Sequence, residues 1–301
     1  MAPDVSPRIG FIGFGEVAAV LAEALAFKGV ALHAFDVLLE RPEGAATLRG
    51  RDRTARVRFA PLPEMIAAVD CVLSTVTTTV AVGAARQAAA HLRRGHTYVD
   101  LNATSPAIKQ EVASLVTATG ADFVEGAILG AIGVTGAKTK ILLGGQRAEE
   151  VADRLTRVGL HTVFYSAEIG RASAFKLLRS VFSKGMEALL IETLVAGRRA
   201  GIQDDLWREM VDLFSANSFE RVAANWIATH GTAHERRYHE VVQVTAELRA
   251  LGVEPSMTTG TEELFARSTA MALKAKFAGR TPDADDVIAA LARELPPKPT
   301  Q

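Results

Sequence analysis

Ile9-Gly10-Phe11-Ile12-Gly13-Phe14-Gly15-Glu16-Val17-Ala18 is the stretch that decides the fold. A short apolar run stops at a pair of glycines spaced G-x-G-x-x-A, and a helical pattern from Glu16 to Lys28 follows, closed by Gly29 at the usual C-cap position. Gly13 permits the tight turn, Gly15 lets the backbone come close to a pyrophosphate, and small Ala18 allows the helix to pack on the strand. Phe14, Gly15, Glu16 and Val17 then present main-chain N–H groups and the positive end of a helix dipole to an anion. Asp36 ends the next β-rich run about 20 residues on, where a carboxylate accepts hydrogen bonds from adenosine ribose hydroxyls. The combination points to a dinucleotide. Asp36 repels a 2′-phosphate and is followed by Val37 rather than an arginine, so NAD is expected; NADP stays open because Arg41 and the arginines after it could fold back.

Outward from this motif, short β-rich runs alternate with helical patterns up to Ser166, the signature of βαβ units in a doubly wound parallel sheet. The runs are Arg8 to Ile12, Ala31 to Asp36, Val57 to Ala60, Cys71 to Val76, Thr97 to Leu101, Ala121 to Val124, Lys140 to Leu143 and Thr162 to Tyr165. Ala107 to Thr119 reads as another connecting helix, and the arginine-rich stretch Arg41 to Arg58 as a solvated loop. After Ser166 the alternation stops. Helices are expected over Arg171 to Ala200, Leu206 to Ala216, Ser218 to Ala228, Ala233 to Leu251 and Thr258 to Lys276. The expected organisation is therefore a Rossmann α/β domain over residues 1–166 and an all-helical substrate and dimerisation domain over 167–301.

The 301 residues carry 34 basic and 34 acidic side chains, with 49% apolar and 6% aromatic residues. That composition excludes disorder and a collagen-like chain, and zero formal net charge gives no overall attraction to nucleic acid or an anionic membrane. No apolar run approaches the ~20 residues of a membrane span. Met1 to Pro7 has neither the basic nor the apolar region of a signal peptide, and Pro296 to Gln301 reads as a frayed tail. The one cysteine, Cys71, sits in an apolar run and reads as a small buried hydrophobe in a reducing compartment. A cytoplasmic protein is expected.

Ile9 to Gly15, Val99-Asp100-Leu101-Asn102-Ala103-Thr104-Ser105-Pro106 and Gly170-Arg171-Ala172-Ser173-Ala174-Phe175-Lys176 together resemble the β-hydroxyacid dehydrogenase family. That family includes 3-hydroxyisobutyrate dehydrogenase, tartronate semialdehyde reductase and 6-phosphogluconate dehydrogenase, and the likeness is nearest to its poorly characterised 6-phosphogluconate dehydrogenase-like branch. It extends from Arg8 to about Arg280. The resemblance implies that Lys176 is the catalytic lysine and that Val76, Asn102 and Ala103 lie along the cofactor. It also implies a substrate loop at Leu129-Gly130-Ala131, where the family has Ser-Gly-Gly, and a substrate contact at Ser180, where the family has asparagine. A family Lys-Asp pair on a late helix falls at His239-Glu240. Ser183 stands where the decarboxylating enzymes carry a glutamate, which argues against decarboxylation.

Read from physics, Ser173, Lys176, Ser180, Ser183, Lys184 and Glu187 recur at spacings of three and four and make one polar stripe on an otherwise apolar helix. Such a stripe faces water or a cleft. A lysine suits the reaction because a hydroxyl losing hydride must also lose a proton, and a partly desolvated ammonium can exchange one near neutral pH. Arg236 shares a helical face with His239 and Glu240, so it could grip an acidic substrate group or simply pair with Glu240. His230, His234 and His239 lack a compact zinc-like ligand set, His230 reads as preceding a loop at Gly231, and no metal is expected. The long helix, apolar around much of its circumference, leads to an expected homodimer. An imine reductase-like enzyme and a non-catalytic NAD-binding sensor remain as alternatives to a dehydrogenase of small, acidic substrates.

Overall fold

In the first strand, β1 (Ile9–Ile12), Ile9 and Phe11 pack on one face and Ile12 on the other. A strand covered on both faces reads as a continuous apolar run rather than an alternating one. The computed structural model describes residues 7–277 and 280–296. The leader reading of Met1 to Pro7 and the frayed-tail reading of Pro296 to Gln301 therefore lie, but for Pro7 and Pro296, outside the described residues. The chain separates into two compact units, Met1–Ser180 and Val181–Gln301.

In the first unit β1 is followed by α1 (Glu16–Phe27), β2 (Leu32–Phe35), α2 (Gly44–Arg51), β3 (Val57–Phe59), α3 (Leu62–Ala67), β4 (Cys71–Ser74) and α4 (Ala81–Ala89). Next come β5 (Thr97–Asp100), α5 (Pro106–Thr117), β6 (Asp122–Leu129), α6 (Ile132–Thr135), β7 (Lys140–Gly144), α7 (Ala148–Arg157), β8 (Thr162–Ser166) and the first turns of α8 (Arg171–Ala200). The strands form one eight-stranded sheet in the order β3-β2-β1-β4-β5-β6-β7-β8. Residues of α1 and α7 fill one apolar layer, and residues of α3, α4 and α5 fill the other. This is a Rossmann-like α/β domain. The strand order reverses between β1 and β4, and a crevice at their carboxyl ends is where open α/β sheets take ligands.

Two details depart from the sequence reading. β6 and β7 pair antiparallel, whereas every other pair in the sheet is parallel. The connection between them holds only α6 and a short 3₁₀ turn at Gly136–Lys138, too little chain for a parallel crossover. The arginine-rich stretch is not all loop: α2 lies within it, anchored by fully buried Leu48. Cys71 is buried as expected, and burial pushes its thiol up to about 12.

The second unit is helical. It contains the remainder of α8, then α9 (Gln203–Ala216), α10 (Phe219–Ala250), α11 (Ser256–Ala270), a 3₁₀ turn at Leu273–Phe277 and α12 (Ala284–Arg293). The two helices expected on either side of Gly231 are one 32-residue helix, α10. Gly231 is no breaker here but a contact point. A Cβ on it would lie 2.8 Å from Pro282 Cγ and 2.9 Å from Val287 Cγ2, so the missing side chain lets the end of the chain pack onto α10. The buried cluster Leu273, Phe277, Val287 and Ala290 completes that contact. No described helix is long and apolar enough to cross a membrane.

Candidate active site

The carboxyl ends of β1, β2 and β4 border a cleft of about 600 Å³ that includes Gly13, Phe14, Gly15, Asp36 and Val76. Gly13 has φ +82, and a Cβ there would lie 2.8 Å from Val76 Cγ1. Gly15 is different: its φ is −90 and nothing in the chain lies within 4 Å of an added Cβ. The chain's own packing does not require that glycine, whereas a pyrophosphate approaching the main chain would. No side chain caps α1, so its first N–H groups are available to an anion. Glu16 and Val17 can contribute through those N–H groups; the Glu16 carboxylate itself lies over Gly133, where an added Cβ would come within 2.2 Å of it. The cradle fits a dinucleotide.

Asp36 ties the cleft together. Its Oδ2 accepts from the Phe14 N–H at 2.8 Å and its Oδ1 from the Leu38 N–H at 2.9 Å. The Thr75 hydroxyl donates to the Gly13 carbonyl at 2.7 Å. Val76 donates its N–H to Asn102 Oδ1 at 2.7 Å, while Asn102 Nδ2 donates to Ser74 Oγ at 2.9 Å. The Asn102 side chain is thus committed to the scaffold and sets the backbone of the loop after β4. Ala103 accepts a bond from the Thr78 hydroxyl at 3.0 Å, joining the loops that follow β4 and β5.

Beneath that loop lies a buried charged pair that sequence reasoning missed. Lys109 and Asp100 are both fully buried, with Nζ 3.3 Å from Oδ1. The ammonium donates to the carbonyls of Asp100 at 2.7 Å, Asn102 at 2.8 Å and Gly126 at 3.4 Å. It thereby ties the end of β5, the Asn102 loop and β6 to one another. Burial still pushes the Lys109 pKa down, against the pull of Asp100. Glu125 was missed as well. This buried carboxylate accepts from the N–H groups of Gly170 (2.7 Å) and Ala172 (3.0 Å) and from the Ser173 hydroxyl (2.7 Å), and so caps the N-terminus of α8. The available signal was a charged residue inside an apolar strand run, Phe123-Val124-Glu125-Gly126-Ala127.

Lys176 sits in the second turn of α8, half-buried. Burial, reinforced by the nearby charge of Lys109, lowers its pKa below the ordinary lysine value. The polar stripe divides into distinct roles. Ser173 serves the Glu125 cap, the Ser180 hydroxyl donates back to the Lys176 carbonyl at 2.9 Å, and Lys184 pairs with Glu187 at the surface. Gly130, at φ +132, and Ala131 lead from β6 into α6 and are exposed. Leu129 packs on the buried cluster of Ala127, Leu142 and Ala172.

Arg236 and His239 belong to α10 in the second unit. Arg236 pairs with Glu240 one turn further on, and both side chains are largely exposed; His239 is exposed beside Tyr238. His230 does not precede a loop. Its ring bonds Ser268 Oγ at 2.8 Å, and its pKa is lowered by burial first and then by the neighbouring His234. Among the described residues no group of three or more His, Cys, Asp or Glu is arranged to hold a metal.

A nucleotide cleft at the switch point of a Rossmann-like sheet defines a dinucleotide-binding protein of dehydrogenase-like fold. Residues 8–165 match the family described as the NAD binding domain of 6-phosphogluconate dehydrogenase, and the chain belongs to that family. Residues 198–268 match a domain of unknown function. A conserved protein of unknown function, with structural similarity to 3-hydroxyacid dehydrogenases, is 35% identical; the match covers 89% of this chain and 99% of that one, with a TM-score of 0.60. The 2-(hydroxymethyl)glutarate dehydrogenase of Eubacterium barkeri is 25% identical over 71% of each chain. The imine reductase of Myxococcus stipitatus, solved with NADP+, shares the fold at a TM-score of 0.74 and 18% identity over 94% of this chain and 99% of its own.

Proposed function

We propose that the protein is an NAD(P)-dependent oxidoreductase that moves a hydride between the nicotinamide and a small hydroxy acid or its carbonyl form, with Lys176 as general acid and base. The observation that carries this reading is the pairing, in one folded unit, of a glycine cradle of dinucleotide type with a lysine whose ammonium is destabilised by burial. The bound nicotinamide would supply or accept the hydride. Lys176 then donates a proton to the developing alkoxide in reduction and removes the hydroxyl proton in oxidation. Gly13, Gly15 and the start of α1 hold the pyrophosphate, Asp36 meets the adenosine ribose and favours NAD(H), and Val76, Asn102 and Ala103 shape the nicotinamide end. Gly130, Ala131 and Ser180 border the substrate. The protein acts as a cytoplasmic homodimer, with no nucleic acid or membrane partner.

One observation favours a second reading. Leu129 offers no hydroxyl, and Ser180 already donates its own to a helix carbonyl, which leaves a less polar substrate side than a hydroxy acid wants and suits an imine. The experiment is to follow NADH and NADPH oxidation with short carbonyl acids, aldehydes and cyclic imines. Turnover of carbonyl acids supports the dehydrogenase, and turnover of imines alone moves the chemistry to a C=N bond. Cofactor binding without any turnover favours a sensor.

A further inference from the structure

The last residue of α2, Arg51, borders the same cleft as Asp36 and Val37. Its guanidinium Nη1 donates to the Phe14 carbonyl at 3.1 Å, while the Phe14 N–H is held by Asp36. Phe14 is thus clasped from both sides, and the clasp brings a cation to the ribose end of the cradle. Arg51 is exposed and, among the described residues, joins no ion pair, so most of its N–H donors remain uncommitted. Its neighbours are engaged elsewhere. Arg53 pairs with Glu23 and Arg56 donates to the Ala26 carbonyl, whereas Arg41 does not border the cleft.

An Asp at the end of β2 rejects a ribose 2′-phosphate because two anions would meet at short range. Here both oxygens of that carboxylate already accept main-chain N–H bonds, and a largely uncommitted guanidinium lines the same cleft. A guanidinium fork can grip a phosphate through charge-assisted, paired hydrogen bonds. We propose that Arg51 is the residue that admits NADP(H) to this cleft beside NAD(H), Asp36 setting the preference and Arg51 limiting its size. This inference rests on the reading of the cleft as a dinucleotide site.

The test is a fluorescence titration of NADH and NADPH, needing no substrate, on the wild type, Arg51→Gln and Arg51→Lys. Glutamine keeps a donor for Phe14 without the charge; lysine keeps the charge without the fork. The wild type is expected to bind both cofactors with affinities within about tenfold of each other, and added salt to weaken NADPH more than NADH. Arg51→Gln should leave NADH within about twofold and weaken NADPH at least about tenfold, the loss of one charge-assisted contact, and Arg51→Lys should recover part of it. NADPH binding that is undetectable in the wild type, unchanged in Arg51→Gln, or reduced there equally with NADH overturns the proposal. Failure of both cofactors to bind the wild type overturns the dinucleotide reading beneath it, and the proposal with it.

Discussion

At the scale of single residues, the proposed proton transfer turns on how far burial strips water from Lys176. Its ammonium loses solvation on α8 and feels the positive charge of Lys109, and both effects favour the neutral amine. In the reducing direction Lys176 must be protonated, so the rate should fall as pH rises through a pKa below the ordinary lysine value of about 10.4; in the oxidising direction it should rise through the same pKa. A pH profile of kcat in each direction checks this, and a break only at the ordinary lysine value would remove the desolvated ammonium from the mechanism. Arg236 poses a sharper choice, because it is bonded to Glu240 rather than uncommitted. If it grips an acidic substrate group it must exchange that partner. Arg236→Ala should then raise KM for a carbonyl acid with NADH binding unchanged, and an unaltered KM would leave it as a surface pair.

At the scale of elements, β5, β6 and the start of α8 are held by buried charges rather than by apolar contact alone. Lys109→Met would leave the Asp100 carboxylate buried without its cation, and the expected cost is about 3–5 kcal/mol, read as a lower denaturation midpoint. A variant as stable as the wild type would mean that the lysine does not hold Asp100 or the loop carbonyls. These elements also show what the sequence could and could not disclose. β1, α1 and Asp36 were legible because turn glycines, apolar runs and a terminal acid each have a local physical signature. Lys109 and Glu125 were missed although a charge inside the apolar run Phe123 to Ala127 was visible, since some of the main-chain groups they hold lie far along the chain, Gly126 for one and Gly170 with Ala172 for the other. Gly231 misled for a related reason: a glycine read locally breaks a helix, and only the packing of Pro282 and Val287 shows why it stays inside one. α2 was hidden by its arginines, although Leu48 anchors it.

At the scale of the whole molecule, the sequence separates a regular nucleotide-binding unit from a helical unit whose apolar side chains are far from all covered. Val181, Phe182, Trp207 and Phe219 stay exposed at 72%, 55%, 50% and 50%. Large apolar side chains left in water favour association, and light scattering at micromolar protein should return about twice the 32.0 kDa chain mass; a monomer would contradict the homodimer.

The proposed reaction needs one chain to bind the dinucleotide through the cradle and move the proton through Lys176, and a comparison of Lys176→Ala with the wild type tests both requirements at once. NADH titration should give the same affinity for the two proteins. Turnover of whichever carbonyl acid the wild type reduces should fall by roughly 10²–10⁴-fold, the usual loss on removing a general acid. Turnover within a few-fold of wild type would remove Lys176 from the proton transfer.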